Sequence, residues 1–518
     1  MMAQWILGAA LLLGILGDAL FRDSDGSGLN WLLWTSSAVG AAAVLARRQS
    51  IAAAMSGRVL IALALLFSGL MALRDSFALH GLCLLAIIVA AAGAVSVQEG
   101  WRAMRSGFVE YAKSVALLAG AAFTGPTRFM NAARGAAGRV SDGFIPRAPQ
   151  TEDQMSQAPE GADRWVAAPG VARGLLIVAP LFVVFLALLM SADPAYRHVV
   201  TSLFEWDLQT LIAHLLTIAV VAWCAAGVLH RALRHAAEAQ SPAAAAPLLT
   251  LGVPEVMTIL TAIDLLFLSF VGVQLRYAFG GEALIRATTG LTYAEYARGG
   301  FFELLAVAAI VLPVLLFLHW ALDRRELRAE RPFQWLAGVQ VSLLGVMLAS
   351  AYHRMRLYEA VYGMTELRLY VMAAIVWLAV VFAWFCLTVL RGRRRLFAGG
   401  ALAAAALGIG VLEGVNPDAL IAKINLAQAH SAHRFDGCYA ASLSADAVPP
   451  LVNALPTLAP ADAAIVAHQL LSRWTPPPQI DWRGWSVGRA QAWNAVESRM
   501  VELRTLAAGA PKDACPGE

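Results

Sequence analysis

The residues with most chemistry to offer lie in one short stretch, Tyr352–Tyr370 (YHRMRLYEAVYGMTELRLY), set between two long apolar runs. It carries Tyr352, Tyr358, Tyr362 and Tyr370 together with His353, Arg354, Arg356, Arg368, Glu359 and Glu366. A guanidinium grips a carboxylate or phosphate through two parallel hydrogen bonds. Tyrosines and arginines also populate the headgroup level of membrane proteins with no further role, and both readings stand here. With Arg298 and Glu303 from upstream, the residues Arg354, Arg356, Tyr358, Glu359, Tyr362 and Arg368 make a candidate polar cluster on an outer face. Four arginines meet two glutamates in it, which leaves positive charge for an anionic headgroup or carboxylate.

A second candidate is Asp264, in the apolar run TAIDLLFLSF. A carboxylate at membrane depth is costly and marks either an ion path or a pairing partner. His214, Glu303 and His319 sit nearer the ends of their runs. The histidines and cysteines form no H-E-x-x-H or Cys/His cluster, so no metal site is expected. No phosphate-binding glycine loop or nucleophile elbow is present either, and no cofactor is implied. Cys83, Cys224 and Cys386 lie in apolar runs, where they pack. Cys438 and Cys515 lie in the C-terminal region and could pair if it faces an oxidising compartment.

These residues must be positioned by membrane-spanning helices. Hydrophobic residues make up 59% of the chain and charged ones 14%, with a mean hydropathy of +0.64. Soluble domains carry nearer a quarter charged residues. Runs long enough for a hydrocarbon core of roughly 30 Å predict an all-α bundle of about eleven spans. They fall near Trp5–Leu20, Leu29–Ala46, Val59–Leu73, Phe77–Val97, Val171–Met190, Leu208–Leu229, Glu255–Phe279, Gly299–Leu322, Phe333–Ala351, Leu367–Leu390 and Leu396–Val411. The first has no basic residue before Arg22 and reads as a retained span, not a cleaved signal. The expected division is 1–97 for four spans, 98–170 for an amphipathic helix (Trp101–Phe123) and the flexible linker Gly125–Gly161, 171–414 for seven spans, and 415–518 for a helical extramembrane region.

Basic residues concentrate in one alternate set of loops, for example Arg324, Arg325, Arg328 and Arg331, then Arg391 and Arg393–Arg395. That places the N-terminus in the cytoplasm of a bacterium and the C-terminal region in the periplasm. Because the basic residues are spread between spans, nucleic acid is not an expected partner. Seven of ten tyrosines then fall at the outer ends of four consecutive spans. Locally, Gly363 predicts a left-handed helix end and Thr365 the N-cap of the next helix. Asn416-Pro417 starts a helix in the C-terminal region. Trp474, Trp482, Trp485 and Trp493 there serve either the membrane interface or internal packing.

The segments FVGVQLRYAFGG, LTYAEYARGGFFELLAV, RLYEAVYGMTELRLY and NPDALIAKINLAQA, with FDGCYAASLSADAVPPL, resemble an uncharacterised bacterial membrane family, domain of unknown function 4173, related to 4153. That resemblance implies many spans followed by a helical tail, and no agreed activity. The residues favour a non-enzymatic envelope protein that binds or senses a lipid, glycan or protein partner. A secondary transporter coupled to protons or ions is the alternative. A membrane enzyme acting on lipid-linked substrate, with Glu303, Glu359 and Arg368 as base and phosphate clamp, stands third.

Overall fold

The computed structural model describes residues 2–49, 54–98, 110–123, 208–233, 252–289, 301–322, 330–429, 435–511 and 515. Among them the regular elements are helices. The first are α1 (Met2–Phe21), α2 (Leu29–Arg48), α3 (Met55–Leu70) and α4 (Phe77–Gln98). A short helix α5 covers 110–123. Then come α6 (Leu208–Ala232), α7 (Val253–Thr289), α8 (Phe301–Ala321), α9 (Glu330–Tyr362), α10 (Glu366–Thr388) and α11 (Phe397–Val415). Nine of these helices are long and apolar enough to cross a membrane, and α3, at 16 residues, is shorter. The expected span Val171–Met190 and linker Gly125–Gly161 lie outside the described residues. The chain is an all-α, multi-pass membrane protein, with apolar side chains such as Leu12, Leu266 and Val376 exposed on its spans.

Small residues set the closest packing. At Gly14 on α1 an added methyl would meet the Ile218 carbonyl at 2.6 Å and Ala222 at 2.8 Å on α6. Without a hydrophobic drive between helices in lipid, such close backbone approach supplies the contact. One apolar core joins α1, α2 and α6 around Leu13, Leu45 and Leu229, and another joins α7 to α11 around Leu260, Leu344 and Phe385. Between them Phe67, Met71 and Cys83 of the α3–α4 pair pack on Ala406 and Ile409 of α11.

Helix α9 has 33 residues and is about 50 Å long at 1.5 Å per residue, so it outruns a hydrocarbon core of roughly 30 Å. It ends as its sequence predicts. Gly363 takes φ +76°, and the Thr365 hydroxyl accepts from the Arg368 amide to cap α10.

Beyond α11 the chain builds a separate helical unit. It comprises α12 (Pro417–Ala429), α13 (Gly437–Ser442), α14 (Val448–Ala454), α15 (Pro460–Trp474), α16 (Val487–Ser498) and α17 (Met500–Ala507). Its core holds Ile421, Leu451, Val466, Leu470 and Val496, and a disulfide joins Cys438 to Cys515. Trp474 belongs to this core.

This tail sits on one end of the spans. The α1–α2 loop presses closely against it, and glycines make room for the contact. A methyl at Gly28 would fall on the Trp485 carbonyl, one at Gly26 on the Arg489 guanidinium, and one at Gly484 on the backbone of Gly26. Leu29 donates its amide to the Trp485 carbonyl at 3.1 Å. Gly28→Val should therefore push the loop from the tail and cost about 1–3 kcal/mol, the usual range for overpacking. Gly40→Ala on α2, where a methyl meets nothing, should leave stability unchanged or raise it by up to about 1 kcal/mol. Thermal unfolding of both variants in one detergent checks the contrast.

Candidate functional site

The Tyr352–Tyr370 corner is the seat of the tail. Met364 and Leu369 from the corner enter the tail's own core. The Asn425 side chain on α12 clasps the Met364 backbone, accepting from its amide at 2.7 Å and donating to its carbonyl at 2.9 Å. The Tyr439 hydroxyl accepts from the Glu366 amide at 2.9 Å. Side chains of the tail thus satisfy the Met364 amide and carbonyl and the Glu366 amide in the turn between α9 and α10.

On the outside of the corner, part of the predicted cluster comes together. Arg368 donates to the carbonyls of Tyr362 and Gly363 and lies over the Tyr358 ring at 4.2 Å. The Tyr358 and Tyr362 rings meet at a tilt of 56° with centroids 4.8 Å apart. Arg356 pairs with the buried Glu359 at 3.5 Å. These contacts give Arg368 the work of closing the end of α9. Tyr352, His353, Arg356 and Tyr362 remain exposed, and Arg354 is half-buried. Arg298 and the side chain of Glu303 lie outside the described residues.

Beside the corner lies a polar junction with a different composition. Asp446 is 4% exposed; its carboxylate accepts from the Asp75 amide at 2.8 Å, from Arg74 at 3.3 Å and from the Asn416 side chain at 3.3 Å. Arg489 pairs with Asp75 at 2.6 Å and reaches the Asp25 carbonyl. The first turn of α16 donates from Val487 and Gly488 to the carbonyls of Ala72 and Leu73, after α3. Glu413 ends α11, where one oxygen accepts from Cys83 at 3.5 Å and the other has no hydrogen-bond partner among the described residues. Tyr370 and Ser76 share a hydrogen bond of 3.3 Å.

Asp418 is fully buried at the start of α12. Its Oδ2 accepts from Ser444, while Oδ1 has no partner among the described residues. Burial pushes this carboxyl from 3.8 up to about 7, the Ser444 hydroxyl opposes the shift, and Glu366 and Asp446 reinforce it. Burial also raises Asp446, against the Asp75 amide and Arg74.

Of this junction the sequence marks only Tyr370, Cys83 and Asn416, and none of them as part of a shared site. Asp75, Glu413, Asp418 and Asp446 each look locally like a polar residue at a helix end. A second unanticipated pair is Asp18 with His214, 2.5 Å apart between α1 and α6, with Arg22 holding both Asp18 and Thr217. His214 was noted as ionisable, but Asp18 gave no signal beyond lying at the end of an apolar run.

Asp264 lies on the buried face of α7 with Val256, Leu260, Phe267 and Val271. Gln340 occupies the buried face of α9, and α7 and α9 pack together. Asp264 lies eleven residues, about 17 Å, into α7, and Gln340 ten residues, about 15 Å, into α9, at 1.5 Å per residue. All four side-chain polar atoms of this pair lack hydrogen-bond partners among the described residues. Groups of three or more His, Cys, Asp or Glu able to hold a metal are absent among the described residues.

Fold and junction together define a class: a multi-pass membrane protein whose C-terminal helical unit is seated on the ends of its own spans. Residues 61–454 match the family described as a domain of unknown function, DUF4153, and the chain belongs to that family. This is the family expected as a relative; the 4173 label is not confirmed. No curated protein and no solved structure matches the chain.

The buried Asp418 predicts a pH dependence. Its folded-state carboxyl binds a proton that the unfolded one, at 3.8, has released. The stability it contributes is full below that value and is lost as pH rises through about 7. Unfolding of the tail should therefore become easier between about pH 4 and about pH 7, by at most about tenfold per pH unit for one proton, and level off above that. Asp418→Asn, which mimics the protonated acid, should flatten that dependence. Hydrogen exchange of α12 against pH checks it, and an unchanged slope in the Asn variant refutes it.

Proposed function

We propose that this is a non-enzymatic protein of the bacterial inner membrane, with its N-terminus in the cytoplasm and its tail in the periplasm, that binds or senses an anionic partner at the outer face. The observation that carries this reading is the seat of the tail. The tail takes up the inside of the corner, and the outside is left with Tyr352, His353, Arg356 and Tyr362 exposed beside Arg354. Arg356 also faces Glu359, so it offers part of its fork to a ligand. A phosphate headgroup, an acidic glycan or a carboxylate-bearing protein loop shares the required chemistry. The disulfide Cys438–Cys515 suits an oxidising compartment, and the basic loops at the other ends of the spans suit the cytoplasm.

The test has two arms. Reporter fusions that work only outside the cytoplasm should be active after Val361 and Ala461 and silent after Arg325; an active fusion at Arg325 inverts the orientation. For the ligand, native mass spectrometry of protein extracted from phosphatidylglycerol-containing bilayers should show bound anionic lipid. The pair Arg354→Gln and Arg356→Gln should lower that occupancy severalfold; because Arg356 also pairs with the buried Glu359, adding Glu359→Gln should restore lost thermal stability without restoring the lipid. Equal occupancy removes the lipid form of the reading, and binding of an acidic glycan array by the wild type alone would keep the site with another ligand.

A secondary transporter is the second reading, favoured by Asp264 and Gln340 on facing helices of the membrane core. Asp264→Asn keeps the shape and removes the titratable charge. Proton-coupled movement predicts loss of pH-dependent growth at normal protein abundance, whereas a fully functional variant returns Asp264 to packing.

A further inference from the structure

In the tail, the exposed large apolar side chains among the described residues are Ile480 at 53%, Trp482 at 56%, Trp485 at 36% and Val501 at 81%. Three of the four fall within six residues, and those six residues are pinned to the ends of the first two spans. Arg483 donates to the carbonyls of Ala19 at 3.0 Å, Arg22 at 2.9 Å and Asp23 at 3.2 Å, at the C-terminal end of α1. A cation there also meets the negative end of the helix dipole. Asp481 holds the guanidinium from behind, at 2.8 and 2.9 Å, and caps the turn through the Arg483 amide at 3.0 Å. Trp485 is tied to the start of α2 through the Leu29 amide, and Gly26, Gly28 and Gly484 let the two backbones touch.

The pinning fixes a depth. Helices α1 and α2 are spans, so the end of one and the start of the other lie where hydrocarbon gives way to headgroups. Phe21, Trp31 and Trp34 already form an aromatic group at that level, with the Phe21 ring 4.8 Å from Trp31 and 6.3 Å from Trp34. The exposed apolar surface of the same spans continues below it through Ile15 and Leu33. Trp482 and Trp485 flank Arg483 on this rim. Indole rings favour the interface, where the ring is apolar and its N–H stays wet.

From this we propose that Ile480, Trp482 and Trp485 form an interfacial anchor, inserted into the headgroup layer of the bilayer around α1 and α2, which seats the tail on lipid as well as on protein. The occupant is the lipid surface because the patch is continuous with the lipid-facing sides of the spans that hold it. The anchor does not depend on which side of the membrane the tail occupies, nor on the ligand proposed for the corner.

The test uses the full chain in nanodiscs of phosphatidylcholine and phosphatidylglycerol. With Cys83, Cys224 and Cys386 changed to Ala and the Cys438–Cys515 disulfide intact, Trp482→Cys offers one thiol for an environment-sensitive nitrobenzoxadiazole dye. Val501→Cys is the aqueous control, and Ile480→Cys is a second site should the tryptophan variant misfold. Lipids spin-labelled at the headgroup should quench the dye at 482 at least twofold more than lipids labelled deep in the acyl chain. Aqueous iodide should quench it less than half as well as at 501. Iodide quenching equal at both sites overturns the proposal. So does protection from iodide without quenching by any spin-labelled lipid, which would place Trp482 against protein.

Discussion

The arrangement depends on where the carboxylate of Asp446 finds its partners. It is buried, so it must be fully paired or pay heavily for its charge. Its partners come from the α3–α4 loop (Arg74 and the Asp75 amide) and from the end of α11 (Asn416). Gly488, at the start of α16, lies so close that a methyl there would meet it at 2.9 Å. One side chain therefore joins the early spans, the last span and the tail. Arg489 on Asp75 and Arg483 on the end of α1 extend the same logic across the rim. In each case a guanidinium or carboxylate completes hydrogen bonds that a loop at the membrane surface leaves open.

This gives the tail a role that its small core alone would not suggest. It is a cap shared between two bundles of spans that, among the described residues, also meet directly through the α3–α4 pair and α11. The corner between α9 and α10 enters the tail's core, while the α1–α2 and α3–α4 loops meet its polar edge. Polar residues crowd onto one end of the bundle for that reason. Glu366 is occupied in joining the corner to the tail and Arg368 in closing the end of α9, which leaves the outer rim of the corner for a ligand.

Much of the architecture was legible in the sequence because span recognition needs only length and hydropathy, which are local. The end of α9 at Gly363 and the cap at Thr365 are local signals too, and both occur as expected. The junction was not legible, because its chemistry is divided between residues hundreds of positions apart. Asp75 meets Arg489 across 414 residues and Arg74 meets Asp446 across 372, and neither position carries a mark of its partner. The run Ser24–Gly28 reads as any flexible loop until Trp485 and Arg489 are seen against its glycines. The four tail tryptophans shared a single ambiguous reading, although Trp474 packs inside and Trp482 lies outside. Asp18 drew no notice because its partner His214 belongs to a span 196 residues later.

The sequence separation of these contacts also orders the protein's assembly. The α1–α2 and α3–α4 loops are made early, yet the groups that complete them, Asp446, Arg483 and Arg489, emerge only after the final span has been threaded. Arg74, Asp75 and the glycines of the first loop must therefore wait at the membrane surface, open to solvent and to other chains, through almost the whole of synthesis. A nascent protein that stalls before the tail would display that unfinished rim, and one that completes would hide it.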